Sequence, residues 1–271
     1  MTHLQTLHHT IYRHDDPSAE WVVFLHGAGG SSATWFKQVR FFKPYFNLLL
    51  IDLRDHGKSK DPLRAERPYT MESLVADIIE VVDAVGIHQA HFMGLSVGTI
   101  LLRHLVETHP NRVISAIHAG AIVYFTRFAR FLLALGRTLR PVLPYMILYR
   151  FFANIIMPTK RHREARQLFY REAKKLTQRA FGRWFTLSTT LADRLARMHT
   201  EAPNVPMLYV MGSEDHMFLS GVELQVGKEP LSQLYVIPDT GHVCTLEAPE
   251  DFNTYVLSYL KSLRVQPENT P

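Results

Sequence analysis

The sequence contains very little cysteine and no long apolar run. Cys244 is the only cysteine among 271 residues, so no disulfide can form within the chain, and we expect a reducing, cytoplasmic location. The most apolar region, residues 141–158, is interrupted by Pro144, Arg150 and Asn154. It is therefore not the run of roughly 20 apolar residues that a bilayer-spanning helix needs. We also expect no signal peptide, because no apolar stretch follows the first residues.

Acidic residues are scarce in the middle of the chain. Residues 120–203 contain 16 lysines and arginines but 4 aspartates and glutamates, a net charge of +12, whereas the remainder carries −7. No nucleic-acid-binding motif accompanies this surplus, so we expect no nucleic-acid partner. A solvated basic face is one interpretation, and weak contact with an anionic membrane surface is another. The second rests on four arginines interleaved with apolar residues: Arg127, Arg130, Arg137 and Arg140 with Phe128, Phe131, Leu132 and Leu139.

Short apolar runs alternate with helical patterns along most of the chain. Continuous apolar runs are typical of strands buried on both faces, and they predict strands at 21–25, 47–51, 90–94, 113–117, 207–211 and 233–237. Helices are predicted at 71–85, 99–108 and 249–263. Residues 6–13 add a candidate antiparallel edge strand. The alternation predicts an α/β fold with a mostly parallel, doubly wound sheet.

Residues 121–203 interrupt this alternation and contain 13 of the 30 aromatic residues. They show helical stretches without a clear strand, so we predict a helical domain inserted into a core of residues 1–120 and 204–271. Spacing of three and four residues predicts a buried helix face that comprises Phe125, Phe128, Phe131, Leu132 and Leu135.

A serine flanked by two glycines lies between a predicted strand and a predicted helix. The segment reads Gly94-Leu95-Ser96-Val97-Gly98. Glycines two positions before and after a serine allow a sharp strand-to-helix turn that exposes the hydroxyl. Ser96 is therefore a candidate nucleophile.

A serine nucleophile needs a base within hydrogen-bond distance and a third group that orients the base. Asp215 and His242 follow the last two predicted strands, whose carboxyl ends should lie at the same edge of the sheet as Ser96. Glu214 is an alternative acid. His216 and His56 are weaker candidates for the base, and Cys244, although close to His242, is interpreted as a packed small residue.

Further motifs make the chain resemble the α/β-hydrolase fold family over nearly its whole length. The chain order serine, aspartate, histidine is one shared feature. Residues 26–30, His-Gly-Ala-Gly-Gly, resemble the oxyanion loop of the family, and residues 52–59 resemble its D-x-R-G-H-G-x-S segment, although Asp55 stands where the family has glycine. Asp tolerates a left-handed backbone, so we expect the turn to be kept. Residues 242–252 resemble its terminal H-x-x-x-x-E-x-P-x-x-F pattern.

The resemblance implies a role for each candidate residue. Ser96 would attack an acyl carbon, His242 would act as general base and then general acid, and Asp215 would orient His242. The backbone N–H groups of Ala28 and Val97 would bind the oxyanion. No metal or organic cofactor is expected. Residues 121–203 would form a cap over the serine.

These features predict cleavage of a small-molecule carboxylic ester with a small to medium apolar acyl or aryl group. Six aromatic residues are candidates for lining the substrate site: Tyr124, Phe128, Phe131, Tyr149, Trp184 and Phe185. A serine at the elbow argues against dehalogenases and epoxide hydrolases of the family, which use aspartate there. Lactonase, thioesterase, carbon–carbon bond hydrolase and cofactor-free haloperoxidase activities remain alternatives, as does a ligand receptor or signalling protein with little turnover. The oligomeric state is left open.

Overall fold

Seven strands form one sheet in the computed structural model. The structure describes residues 6–60, 62–198 and 202–264, with side chains at all of these positions except 62, 63, 189–194 and 196–198. The strands are β1 (His9–Tyr12), β2 (Trp21–Leu25), β3 (Asn47–Ile51), β4 (Ala90–Leu95), β5 (Val113–Ala119), β6 (Met207–Gly212) and β7 (Ser232–Ile237). Every strand predicted from the sequence is present, and each lies within two residues of its predicted bounds or, for β1, inside its predicted segment.

The sheet has the order β1-β3-β2-β4-β5-β6-β7. Strand β1 pairs with β3 in the antiparallel sense, and all other neighbours are parallel. The predicted mostly parallel α/β sheet is thereby confirmed. Because the parallel strands point the same way, the loops that follow β2 to β7 meet at one edge, where ligands bind in sheets of this kind.

Eleven α-helices are described alongside the sheet. They are α1 (Phe36–Phe42), α2 (Pro62–Ala65), α3 (Met71–Val85), α4 (Val97–Thr108), α5 (Arg127–Leu139), α6 (Tyr145–Ile156), α7 (Arg163–Ala173), α8 (Gln178–Met198), α9 (Leu219–Val226), α10 (Cys244–Glu247) and α11 (Pro249–Arg264). The three helices predicted outside the inserted region are confirmed as α3, α4 and α11. Among the described residues, none of the helices is both long and apolar enough to cross a membrane.

The sheet is buried on both faces. Along β2, Val23 and Leu25 pack on one side with apolar residues of α3 and α4, whereas Val22 and Phe24 pack on the other side with residues of α1 and α11. This arrangement explains why the strands are continuous apolar runs and do not alternate with polar residues.

The two ends of helix α3 are determined by capping residues. The Thr70 side chain accepts a hydrogen bond from the N–H of Ser73 and caps the first turn. Gly86 ends the helix with φ of 80°, a left-handed conformation that glycine adopts without strain. Between these residues, the buried apolar side chains recur at three- and four-residue spacing: Leu74, Val75, Ile78, Val81 and Val82.

Helices α5 to α8 lie in residues 121–203, which we call the inserted helical segment. No strand is found in the described part of this segment, 121–198 and 202–203. Its division from the core as a separate domain stays a prediction. Residues 199–201 of that predicted domain, and residues 1–5, 61 and 265–271 of the predicted core, lie outside the described residues.

The predicted buried face of α5 is wrong at two aromatic positions. Phe128 and Phe131 are exposed, and the buried residues of the helix are Ala129, Leu132 and Gly136. The small residues explain the difference: a Cβ atom added at Gly136 would lie 2.5 Å from the ring of Phe185 and 2.7 Å from that of Phe152. Neighbouring helices therefore pack their rings against the small side of α5, and its own rings turn to solvent.

Two buried histidines hold the loops after β2 and β3 together. The His56 Nδ1–H donates to the carbonyl of Arg54 (3.0 Å), and its Nε2 accepts from the N–H of Gly29 (2.9 Å). His26 likewise donates to the Gly27 carbonyl and accepts from the Leu53 N–H. Because each ring uses one nitrogen as an acceptor, both are neutral. Burial lowers the pKa of His26, and it lowers the pKa of His56 to about 3.

Replacing His56 with glutamine is expected to make folding less sensitive to acid. The ordinary histidine pKa is 6.5, so the unfolded chain gains a proton there, whereas folded His56 stays neutral until about pH 3. The contribution of neutral His56 to the free energy of unfolding is therefore fully present above pH 6.5. It declines as the pH falls, by about 2 kcal/mol between about pH 7 and 5. Denaturant titrations at the two pH values measure the decline, which should be smaller by that amount in His56→Gln.

The matched control for this prediction is His88→Gln, which removes an exposed histidine. We expect it to leave the pH dependence of the unfolding free energy close to that of the parent chain. Equal pH dependence in His56→Gln and the parent would show that folded His56 does not stay neutral.

Candidate active site

Ser96 lies on a strained turn between β4 and α4. Its backbone has φ of 52° and ψ of −117°, an unusual conformation for a residue with a side chain. A Cβ atom at Gly98 would lie 2.3 Å from the carbonyl oxygen of Leu25, and one at Gly94 would lie 2.8 Å from backbone atoms of Gly98. Gly94 is therefore required for the close approach of β4 and α4 that forms the turn, and Gly98 for the close approach of α4 to the end of β2.

The three side chains expected to form the catalytic group lie in one hydrogen-bonded chain. The Ser96 hydroxyl is 2.9 Å from His242 Nε2, and His242 Nδ1 is 2.7 Å from a carboxylate oxygen of Asp215. His242 and Asp215 are 3% and 1% exposed, so the contact between them is shielded from water. The geometry matches a hydroxyl nucleophile, a base and an orienting carboxylate.

Close backbone contacts bring the three loops together. Gly120, directly after β5, has φ of 51°, and a Cβ atom there would lie 2.2 Å from the carbonyl oxygen of His242. A Cβ atom at Gly212, the last residue of β6, would lie 2.2 Å from the carbonyl oxygens of Thr240 and Gly241. The loop that carries His242 thus packs directly against the ends of β5 and β6.

The alternative acid and bases occupy other positions. Glu214 lies 3.2 Å from the buried His162 and 3.5 Å from Arg161, both in the inserted helical segment. The ring of His216 is near the carbonyl of Glu214 (3.4 Å). His56 is occupied in the loop contacts described above.

Cys244 is buried, and its Sγ lies 3.4 Å from the carbonyl oxygen of Val210. Burial raises the pKa of its thiol, which disfavours the reactive thiolate form. The interpretation of Cys244 as a packed small residue agrees with this position.

Two backbone N–H groups lie beside Ser96 without an acceptor. Within the described residues, no hydrogen bond is found for the N–H of Ala28 or of Val97. Val97 is the first residue of α4, whose positive dipole end favours negative charge at this point. The Ala28 loop is held by the bond from Gly29 to His56 and by the Tyr149 hydroxyl, which donates to the Ala28 carbonyl at 3.2 Å. The arrangement is suited to binding an oxyanion.

A cavity of about 200 Å³ opens at Ser96 and His242. Tyr149, Trp184 and Phe185, three of the six aromatic residues proposed from the sequence, line it. The other three lie elsewhere: Tyr124, Phe128 and Phe131 are 36%, 53% and 61% exposed and do not contribute to the wall.

Most of the cavity wall was not identified from the sequence. Fourteen of its 22 lining residues belong to the inserted helical segment. The apolar residues missed there are Ile122, Phe125, Leu133, Phe152, Ala153, Ile156, Met157, Phe169, Leu176 and Phe181. Leu133 was detectable in principle, because it lies beside Ala129 and Gly136 on the inner side of α5. Phe125, two residues before the helix, was predicted to be buried but was not assigned to the substrate site.

An ion pair fixes the inserted helical segment to the core beside the cavity. The Arg183 guanidinium on α8 lies 2.7 Å from the Asp55 carboxylate, which also accepts from the Tyr69 hydroxyl. The neighbouring Trp184 donates its indole N–H to the carbonyl of Arg54 at 3.0 Å. Asp55 has φ of 67°, so the expected left-handed turn is confirmed at the position where the related family has glycine.

Three comparisons place the chain among known proteins. A Bacillus subtilis protein provisionally named 2-succinyl-6-hydroxy-2,4-cyclohexadiene-1-carboxylate synthase is 27% identical, over 91% of this chain and 92% of that protein. 3-Oxoadipate enol-lactonase 2 of Acinetobacter baylyi is 22% identical, over 89% and 88%. The solved structure of an esterase from Exiguobacterium antarcticum superposes with a TM-score of 0.75 at 20% identity, over 94% of this chain and 95% of that one; it shows a shared fold.

The family model described as the alpha/beta hydrolase family matches residues 22–254, which include the Ser96 turn, the Asp215 loop and His242. This match spans most of the described sheet and all of the inserted helical segment. The chain therefore belongs to the alpha/beta hydrolase family.

Proposed function

We propose that the protein is a serine hydrolase that cleaves carboxylic esters with small to medium apolar acyl or aryl groups. The observation that supports this most directly is the hydrogen-bonded chain Ser96–His242–Asp215 at the wall of an apolar cavity. Membership of a hydrolase family and a fold shared with an esterase agree with it.

In the proposed first step, the Ser96 hydroxyl attacks the ester carbonyl carbon and passes its proton to His242 Nε2. Asp215 holds the His242 ring in the tautomer that has a free Nε2 lone pair, and it stabilises the imidazolium that forms. The carbonyl oxygen becomes negatively charged and accepts hydrogen bonds from the N–H groups of Ala28 and Val97. One such donor typically contributes about 3–4 kcal/mol to lowering the barrier.

In the proposed second step, the alkoxide leaves with the proton from His242, and the acyl group remains on Ser96. Water, deprotonated by His242, then attacks the acyl-enzyme and releases the carboxylic acid. These steps use side chains, backbone N–H groups and water, and they require no metal or organic cofactor.

The composition of the cavity wall supports an uncharged substrate. None of the 22 described residues that line it is lysine, arginine, aspartate or glutamate. A substrate carboxylate would lose its hydration there without gaining a cationic partner, which is costly. The names of the relatives refer to a carboxylate and an oxoadipate compound, so we propose that this chain differs from them in substrate charge.

Ring opening of an uncharged lactone is a second candidate reaction. A lactone is an internal ester, so the same attack, collapse and hydrolysis apply. The relative named as an enol-lactonase, aligned over most of both chains, favours this candidate over thioester or carbon–carbon bond cleavage. A receptor with little turnover is less well supported, because the base already contacts the hydroxyl of Ser96.

The proposal also includes the cellular location of the enzyme and its contact with a membrane. The single cysteine is buried and fits a reducing compartment, so we propose a cytoplasmic enzyme. Its substrates, being apolar, partition into membranes, and contact between the basic inserted helical segment and an anionic membrane would bring the enzyme to them.

The Ser96→Ala variant is expected to lose at least about 10³-fold in kcat for p-nitrophenyl butyrate, because the hydroxyl that forms the acyl-enzyme is missing. Release of p-nitrophenol by purified protein measures this loss. Ser213→Ala, which alters an exposed serine near Asp215, is the control and should retain the parent rate. Turnover of Ser96→Ala at the parent rate would rule out the proposed mechanism.

We expect the enzyme to hydrolyse esters of uncharged acyl groups much more efficiently than esters of anionic acyl groups. We expect kcat/KM for p-nitrophenyl butyrate to exceed that for p-nitrophenyl hemisuccinate by at least about 10²-fold, since burial of an unpaired carboxylate costs several kcal/mol. Parallel initial-rate measurements on the two esters test this expectation. Equal values would mean that a cation reaches the bound acyl group, contrary to the wall described above.

A further inference from the structure

Helix α5 presents aromatic rings to solvent. Phe128 and Phe131 are 53% and 61% exposed. Of the 12 large apolar side chains found exposed in the described residues, 6 lie within residues 124–151, about a tenth of the chain. Exposed apolar groups concentrated in this way mark a contact surface more often than chance.

The same region has no acidic residue. Residues 108–163 contain nine lysines and arginines and no aspartate or glutamate. On α5, Arg127, Arg130 and Arg137 are all exposed, and no partner is found for Arg127 or Arg137 among the described residues. On α5 itself, the exposed rings are therefore accompanied by cationic side chains and by no acidic one.

The two faces of α5 have different environments. At about 100° per residue, Phe128 and Phe131 lie on the solvent side with the three arginines beside them. The opposite side, with Ala129, Leu132 and Gly136, packs into the protein, and the wall residues Phe125 and Leu133 flank it. One helix thus lines the cavity with one side and exposes an aromatic and cationic surface with the other.

We propose that α5 is a membrane-docking helix that binds the surface of an anionic lipid bilayer. Phe128 and Phe131 enter the boundary between headgroups and acyl chains, and Arg127 and Arg137 contact lipid phosphates. Exposed rings with cationic side chains beside them suit a helix that lies in the plane of the interface, where rings reach the acyl boundary and cations reach the headgroups. The charge complementarity selects an anionic lipid surface as the partner.

Neither component is sufficient alone. Two rings bury little apolar area, and the attraction of a few arginines to an anionic surface falls off within a Debye length. Binding should therefore require anionic lipid and decrease with salt, and it should need both the rings and the arginines. Docking on α5 would hold the cavity-lining segment at the membrane, but the binding itself does not depend on the proposed hydrolysis.

Co-sedimentation with vesicles tests the proposal. Full-length protein is incubated at low salt with phosphatidylcholine vesicles or with the same vesicles containing about 30% phosphatidylglycerol. We expect binding to the anionic vesicles alone and its loss at high salt. The double variant Phe128→Ser/Phe131→Ser and the double variant Arg127→Gln/Arg137→Gln should each bind at least about tenfold more weakly.

Leu224→Ser is the matched control, because Leu224 is 64% exposed but lies on α9 beside the acidic Glu223. It should bind vesicles like the parent chain, and thermal midpoints should confirm that all variants fold. Absence of sedimentation with anionic vesicles, or equal binding by the parent and the α5 variants, would overturn the proposal. Binding to single-stranded RNA without binding to vesicles would overturn it in favour of a nucleic-acid partner.

A fluorescence measurement gives a second, independent readout. In Phe128→Trp, the new indole lies at an exposed position. Anionic vesicles should shift its emission to the blue, and brominated acyl chains should quench it, because the ring enters the acyl boundary. An unchanged spectrum in the presence of bound vesicles would show that the contact is made by another surface.

Discussion

The active-site geometry depends on the backbone of one residue. Ser96 is held at φ of 52° because β4 and α4 approach each other more closely than a side chain at Gly94 would allow, and α4 approaches the end of β2 more closely than a side chain at Gly98 would allow. This approach aims the Ser96 hydroxyl at His242 and leaves the first N–H of α4 beside it. The proposed nucleophile, the helix dipole and the proposed oxyanion donor are therefore placed together by close backbone packing.

The sheet and the candidate catalytic residues could be predicted because their signals are local. A buried parallel strand is a short apolar run, and the residue after it lies at the ligand-binding edge whatever happens elsewhere in the chain. Ser96, Asp215 and His242 each follow such a run, and the structure brings them into contact. The cavity wall has no equivalent signal, since an apolar residue in a helix has the same pattern whether it faces a cavity, a core or solvent. On α5, the small residues Ala129 and Gly136 decided which face was buried.

Asp55 illustrates a contact that the sequence does not reveal. Aspartate tolerates a left-handed turn, but nothing in the sequence explains why a carboxylate stands at that position. The partner is Arg183, which lies 128 residues further along the chain. It belongs to α8 of the inserted helical segment, where the sequence has no predicted strand that would fix the position of the helix relative to the sheet. With Tyr69 and the indole of Trp184, this ion pair joins the inserted helical segment to the core next to the cavity. The departure from the family pattern thus coincides with an attachment point of the segment.

In the inserted helical segment, the charged side chains and the side chains that line the cavity belong to different residues. The segment contributes 14 of the residues around the cavity, none of them charged, although the region of residues 120–203 carries a net charge of +12. An unpaired guanidinium in the apolar wall would lose its hydration at a large cost, and none of the arginine side chains described in residues 120–203 is buried; Arg183, which is partly exposed, pairs with Asp55. The basic composition therefore carries no information about the charge of the substrate. It describes the outer surface, and for that reason the proposed uncharged substrate and the proposed docking on an anionic membrane are compatible in one segment.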